Sequence, residues 1–368
     1  MILSQICNIY DGTHQTPKYV DEGVPFYSVE HVSKDDFSNT KFITEEVFTK
    51  ECQRVSIEQG DILMTRIGSV GVPKFIDWNV RASFYVSLAL LKPKTEGINM
   101  GWLSYYIQSP NIQRDIWRLT IHVAFPKKIN LGDIGKIRIK LPPKAEQESN
   151  FALLKSVDQK INLLTKKKEA LETYKKGLMQ KIFSQELRFK REDGTVYPEW
   201  DSIILNEIAE IQKGKQLNKL DMDENGEFPV LNGGINWSGF TTSYNTKANT
   251  IAISEGGNSC GYVSFVTTDF WSGGHNYTLK LQKDVNVKFL YHFLKFKEVD
   301  LMRLRVGSGL PNIQKKDLKR FLCNIPCLEE QHIITNILDN LDLQIDRITI
   351  KIDLSEQMKK GLLQHMFV

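Results

Sequence analysis

Between positions 143 and 184 the chain carries one uninterrupted helical pattern. Leu154, Val157, Ile161, Leu164, Leu171 and Leu178 recur at three-, four- and seven-residue spacings. A helix gathers them on one stripe and leaves Lys, Glu and Gln for its other faces. After Pro143 the stretch has no further proline and one glycine, Gly177. At ~1.5 Å per residue such a helix spans about 55–60 Å, too long to lie inside one compact domain. The pattern returns over 328–368, where Leu338, Leu341, Ile345, Ile348, Ile352 and Leu362 form a second stripe. A shift of 184 residues aligns the two stretches without a gap. Glu146-Gln147 falls on Glu330-Gln331, Asp158 on Asp342, Lys175-Lys176-Gly177-Leu178 on Lys359-Lys360-Gly361-Leu362, and Phe183 on Phe367. A shared apolar stripe alone does not reproduce the polar positions, so this is an internal repeat.

The repeat extends upstream of each helix. Leu3, Ile6, Ile9 and Gly12 match Leu205, Ile208, Ile211 and Gly214; Val24-Pro25-Phe26 matches Phe228-Pro229-Val230; Pro126 matches Pro311. The runs 61–65, 84–91, 250–254 and 277–281 read as strands between Gly- and Asn-rich loops, and 102–107 and 289–294 as short helices. The expected organisation is a first module over 1–142, a helix over 143–184, a linker over 185–204 with Asp193-Gly194 and Pro198 turn chemistry, a second module over 205–327 and a second helix over 328–368. The fold class expected is α/β (α+β): two similar modules with twisted sheets, joined by two long helices. Module one has only Met1-Ile2 ahead of Leu3, so the lead-in at 185–204 lacks a counterpart there.

Charge bears on how the helices pair. Residues 144–184 hold nine Lys against five acids, whereas 328–368 hold four basic residues against seven acids. Opposite flanks around apolar seams favour a mixed pair. Exposed ion pairs contribute under ~1 kcal/mol each, so the charges select the partner and the apolar seam supplies the stability. If module two stays near the end of the first helix, the second helix runs back toward module one. The pair is then an antiparallel coiled-coil spacer with approximate two-fold symmetry.

Composition narrows the class. The N-terminus lacks the basic and apolar regions of a signal peptide, and no apolar run approaches the ~18–20 residues of a membrane span. Five scattered cysteines, with no second Cys or His pair at zinc spacing near Cys323 and Cys327, point to a reducing cytoplasm and no metal site. Phosphate-loop, dinucleotide-binding, H-E-x-x-H and amino-methyltransferase signatures are all missing, so no catalytic residue is assigned. The net charge of +4 permits a polyanionic partner.

The loops carry recognition chemistry. Thr13, His14, Gln15, Lys18, Arg66, Ser69, Lys127 and Lys128 lie in loops of module one. Lys213, Lys215, Asn232, Asn258, Ser259, His275, Asn276, Arg303, Arg305 and Ser308 lie in loops of module two. Lys and Arg neutralise phosphates, Asn, Gln and Arg read base edges, and glycines let backbone approach a ligand. Each cluster alone is also explained by turn chemistry. Their recurrence in both modules makes DNA the expected ligand, with a scaffold whose modules bind protein as the alternative.

The doubled pattern, Glu-Gln followed by Leu154, Asp158, Ile161, Lys175-Lys176-Gly177-Leu178, Gln180 and Phe183, with its mates at plus 184, resembles the specificity subunits of type I restriction-modification systems. The Gly60-Asp61-Ile62-Leu63 run, the Gly307-Ser308-Gly309-Leu310-Pro311 turn and the Leu187-Arg188-Phe189 to Trp200 lead-in fit the same family, and the resemblance covers essentially the whole chain. It implies two target-recognition domains, each binding half of a split double-stranded DNA site, and spacer helices that set the half-site distance. It also implies docking of two methyltransferase subunits and, through them, restriction subunits. S-adenosylmethionine and ATP with Mg would be used by those partners, and this chain would hold no cofactor.

Overall fold

The computed structural model describes residues 1–307 and 309–367. They form two compact units, Met1–Thr165 with Ile350–Val368, and Lys166–Thr349. The division does not follow the module and helix boundaries expected above, because each long helix contributes residues to both units.

The first unit runs α1 (Leu3–Ile6), β1 (Cys7–Asp11), β2 (Val24–Tyr27), α2 (Val29–Lys34), β3 (Lys41–Ile43), α3 (Glu45–Cys52), β4 (Ile62–Thr65), β5 (Pro73–Phe75), β6 (Ser83–Phe84), β7 (Leu88–Pro93), α4 (Met100–Gln108), α5 (Pro110–Leu119) and α6 (Leu131–Gly135). It also takes in the first half of α7 (Lys144–Phe183) and the last residues of the chain. Its main sheet is antiparallel in the order β1-β7-β4-β5, and a small sheet in the order β3-β2-β6 carries the parallel pair β2–β6.

The second unit holds the rest of α7, then β8 (Asp201–Ile204), α8 (Leu205–Ile208), β9 (Ala209–Lys213), β10 (Phe228–Leu231), β11 (Gly239–Thr241), β12 (Thr250–Ser254), β13 (Val263–Val266), β14 (Trp271–Ser272), β15 (Asn276–Leu281), α9 (Val287–Phe296), α10 (Glu298–Arg303), β16 (Arg305–Val306), β17 (Asn312–Ile313), α11 (Lys315–Lys319), β18 (Leu322–Ile325) and the first half of α12 (Leu328–His365). Its main sheet, β9-β15-β12-β13, and small sheet, β11-β10-β14, repeat the first unit strand for strand, including the parallel pair β10–β14.

Register shows why these runs become strands. Ile9, Leu91, Ile62 and Phe75 stand in one row across the first main sheet, and Ile211, Leu279, Ile251 and Phe265 in the second. Alternate positions thus face one core, where Ile62, Leu91, Ile211 and Ile251 are almost wholly buried. The run expected over 84–91 is two strands, because a turn at 85–87 separates the parallel edge β6 from β7.

All twelve expected seam residues are buried or half-buried, Leu154 and Leu338 completely. In the first unit Leu154 shares a cluster with Leu362 and Phe367, while Asp158, further along α7, meets Lys359 at 2.8 Å. In the second, Phe183 and Leu178 lie with Ile334 and Leu338, and Lys175 meets Asp342. In each unit the α7 and α12 stretches therefore run antiparallel. Asp158 is the repeat mate of Asp342 and Lys175 of Lys359, so one ion pair is made twice with the helices exchanging roles.

Gln147 and Gln331 seat the helices. Each is buried, accepts the backbone N–H of the residue that caps an earlier helix (Asn99 of α4 or Asn286 of α9, both 2.8 Å), and donates to a proline carbonyl at the strand exit (Pro142 at 2.9 Å, Pro326 at 2.8 Å). The cap side chains then accept from Trp102 N and from Lys288 and Phe289 N. Gln331→Ala orphans a buried donor and a buried acceptor, so the second unit is expected to lose about 1–3 kcal/mol, read as a lower urea midpoint at unchanged slope. An unchanged midpoint would refute this role.

Candidate nucleic-acid interface

In the second unit one end of the main sheet gathers five loops. A Cβ on Gly214 would meet Gly273 O at 2.1 Å, and one on Gly12 of the first unit would meet Phe84 O at 2.0 Å, so only glycine permits these crossings. Gly214 N donates to Asn276 O, and Lys215 N to Ser272 O. Asn232 Oδ1 accepts from His275 N at 3.3 Å, and the Ser254 and Ser259 hydroxyls donate to Gly233 O. Glu255 is the hinge of the arrangement. Its carboxylate takes Lys213 Nζ at 2.7 Å and Tyr277 OH at 2.8 Å, and its carbonyl accepts Ile313 N. Burial first, then the Glu255 carboxylate, push the Tyr277 phenol up, so it stays protonated and donating. Gly257 N donates to Pro311 O at 2.9 Å, which holds the β16–β17 loop beside the 255–259 loop.

The first unit repeats this construction with other side chains. Thr13 bonds Phe84 and Val86, Gly68 N donates to Lys127 O at 2.8 Å, and Ile129 N donates to Arg66 O. These place the 12–15, 66–69, 84–87 and 121–129 loops together. Asp11 takes the place of the hinge, accepting from His14 Nε2 at 2.8 Å and from Arg54, with Arg66 Nη1 at 3.6 Å. Burial raises the Asp11 carboxyl, but the His14 and Arg54 hydrogen bonds prevail and hold it below its ordinary value.

Thus His14, Gln15, Lys18, Ser69, Lys127 and Lys128 are exposed in the first unit, as are Lys213, Lys215, Asn258, His275, Arg303 and Arg305 in the second; Thr13, Asn232 and Ser259 are half-buried. Two expectations need correction. Arg66 points inward, with Nε on Ile129 O and Nη1 on Val86 O, and only 9% of it is exposed. Asn276 is 1% exposed, its amide on Ser272 Oγ. Each follows a buried strand or begins one, and its polar atoms tie the loops from behind instead of lining their outer face. Ser308 lies outside the described residues. Arg303 pairs with Asp300 at 2.9 Å on its own helix.

The residue pattern did not single out Asp11, Arg54, Glu255 or Tyr277, whose roles depend on contacts distant in sequence. Phe125, Val123 and Leu310 were also missed. All three are almost fully exposed on the 121–128 and 306–312 loops. A lone aromatic between Ala124 and Pro126-Lys127-Lys128 was the available signal. Among the described residues no group of three or more His, Cys, Asp or Glu could hold a metal, the five cysteines are unpaired, and no helix is long and apolar enough to cross a membrane.

The model of the family described as type I restriction modification DNA specificity domain matches residues 1–173 and 197–355. A protein named as a type I specificity subunit of Mycoplasma pneumoniae is 31% identical over 171 residues, covering 46% of this chain and 45% of that protein. This chain therefore spans about half the length of that relative. A type I restriction enzyme specificity subunit of Methanocaldococcus jannaschii is 25% identical over 364 residues, covering 92% of this chain and 84% of its own. The crystal structure of an S subunit from M. genitalium superposes with a TM-score of 0.73 at 19% identity, over 100% of this chain and 95% of that one. That likeness concerns the fold.

Proposed function

Because the chain belongs to the family of type I restriction modification DNA specificity domains, we propose that it is a non-catalytic specificity subunit that reads a bipartite double-stranded DNA site. Each unit takes one half-site on its loop face. The paired helices set the distance between the halves and dock two methyltransferase subunits, which recruit restriction subunits. S-adenosylmethionine, ATP and Mg act in those partners. The observation that carries this reading is the doubled construction: the same sheets and the same loop junctions, built twice, bring exposed Lys and His to the same end of each main sheet.

Lys127 and Lys128 then act as phosphate ligands, which position DNA without reading it. In a salt titration of duplex binding, the double variant Lys127→Ala/Lys128→Ala is expected to weaken all sequences alike. It should also flatten the slope of log K against log salt by roughly 2, at ~0.9 per phosphate. An unchanged slope removes these lysines from the interface. Absence of duplex binding, with the methyltransferase partner present, favours the protein scaffold.

A further inference from the structure

Both loop faces end in a bare apolar tip. In the first unit the 121–128 loop is closed by Ile121 N donating to Lys128 O at 2.7 Å, and is pinned at its base by Gly68. Its tip carries Val123, 96% exposed, and Phe125, fully exposed. Exposed Lys127 and Lys128 follow immediately. In the second unit β16 and β17 close the equivalent loop, Gly257 pins it, and Leu310 stands 86% exposed. Pro126 and Pro311 are repeat mates, so Phe125 and Leu310 occupy the same position in the two copies.

A single exposed apolar residue needs no explanation. Two at one repeat position, each on a loop braced at its base and each on the face that carries the basic and amide side chains, do. The loops cannot fold the tips inward, because their hydrogen bonds hold the stems against the 66–69 and 255–259 loops. Nothing packs on the tips within the protein. An exposed apolar side chain projecting from a DNA-facing surface, followed at Phe125 by Lys127 and Lys128, has a natural receptor in the stack of bases. Apolar wedges enter a step, unstack it and widen the contact, and flexible pyrimidine–purine steps yield most readily.

Building on the DNA-reading function above, we infer that Phe125 and Leu310 are wedges, each inserted at one base step of its half-site. The two units then read sequence partly through the deformability of that step. Phe125 has a π-face and Leu310 does not, so the first half-site is the more strongly unstacked.

The test uses the full chain with its methyltransferase partner and a synthetic duplex carrying the site found by modification mapping. 2-Aminopurine is placed in turn at each position of both half-sites. The expected result is a fluorescence rise on binding, confined to one step per half-site. Phe125→Ala abolishes the rise in one half-site only and lowers affinity roughly ten-fold, in line with the loss of one aromatic stacking contact. Leu310→Ala does the same in the other half-site, with a smaller loss of affinity. Phe125→Leu retains part of the first response. Tight binding with no fluorescence rise at any step, or a rise that survives both alanine variants, overturns the wedge and leaves DNA reading intact. No binding of the duplex at all overturns the function and the wedge together. Both side chains are outside the core, so the variants fold.

Discussion

Arg188→Ala is expected to lower the unfolding free energy of the second unit by about 3 kcal/mol, the lower end of the cost of breaking a buried ion pair. Glu330, at the start of α12, is wholly inaccessible to solvent. Its carboxylate is held in a fork by Arg188 Nε at 3.0 Å and Nη2 at 3.1 Å, and Trp200 Nε1 adds a third donor at 3.1 Å. Without the guanidinium, one indole N–H faces a buried charge. The guanidinium itself is partly exposed, so water can enter in its place and the cost stays at the low end. The repeat supplies an internal control. Glu146, the mate of Glu330, is exposed, and Glu146→Gln should change stability by under ~0.5 kcal/mol. Urea unfolding, followed by hydrogen exchange in peptides of each unit, separates the two outcomes. Equal effects of the two substitutions would mean that the lead-in does not anchor the second helix.

The other large effect concerns DNA spacing. On a duplex carrying both half-sites, adding or removing one base pair between them should lower affinity on the order of 100-fold, and two should leave only non-specific binding. Two linked half-sites gain about 10²–10⁴ over one, and lose it when geometry forbids simultaneous engagement. One base pair moves the second half-site by about 3.4 Å and turns it by roughly 35°. On the proposed reading, in which the paired helices set the half-site distance, continuous hydrogen-bonded helices do not stretch or twist to follow. Binding measured across a series of spacer lengths decides the matter, and equal affinity at every spacer would sink the ruler.

The repeat and the two long helices were legible because they rest on local period and on residue identity, both carried in the sequence itself. The polar matches at Asp158, Lys175 and their mates were visible, but their purpose was not. They become intelligible only when the α7 and α12 stretches run antiparallel in each unit and the same ion pair closes twice. The buried glutamines likewise read as surface residues, since nothing local says that a cap 48 residues away lacks a donor's partner. The two-residue strand β14 escaped, and β6 was merged with β7, because such short runs have no period. In the loops, the sequence pattern grouped cations without distinguishing their direction. Arg66 follows four buried strand residues and turns back onto carbonyls, whereas Lys127 and Lys128 bracket a backbone junction and turn out. Phe125 was passed over because a lone Phe reads as core.

Gly177, which the helical pattern left unexplained, has open space where a side chain would be, as does its mate Gly361. Neither is required by packing within the chain.

The first unit is made of two stretches at opposite ends of the chain, and Phe367 sits in its core against Trp102 and Tyr106 while Asn111 Nδ2 holds the Phe367 carbonyl at 3.2 Å. The second unit is one contiguous stretch. On the ribosome the order of completion is therefore the reverse of the order of synthesis. The half made first waits, its core open, until the stretch around Phe367 emerges, and the half made second can close before it.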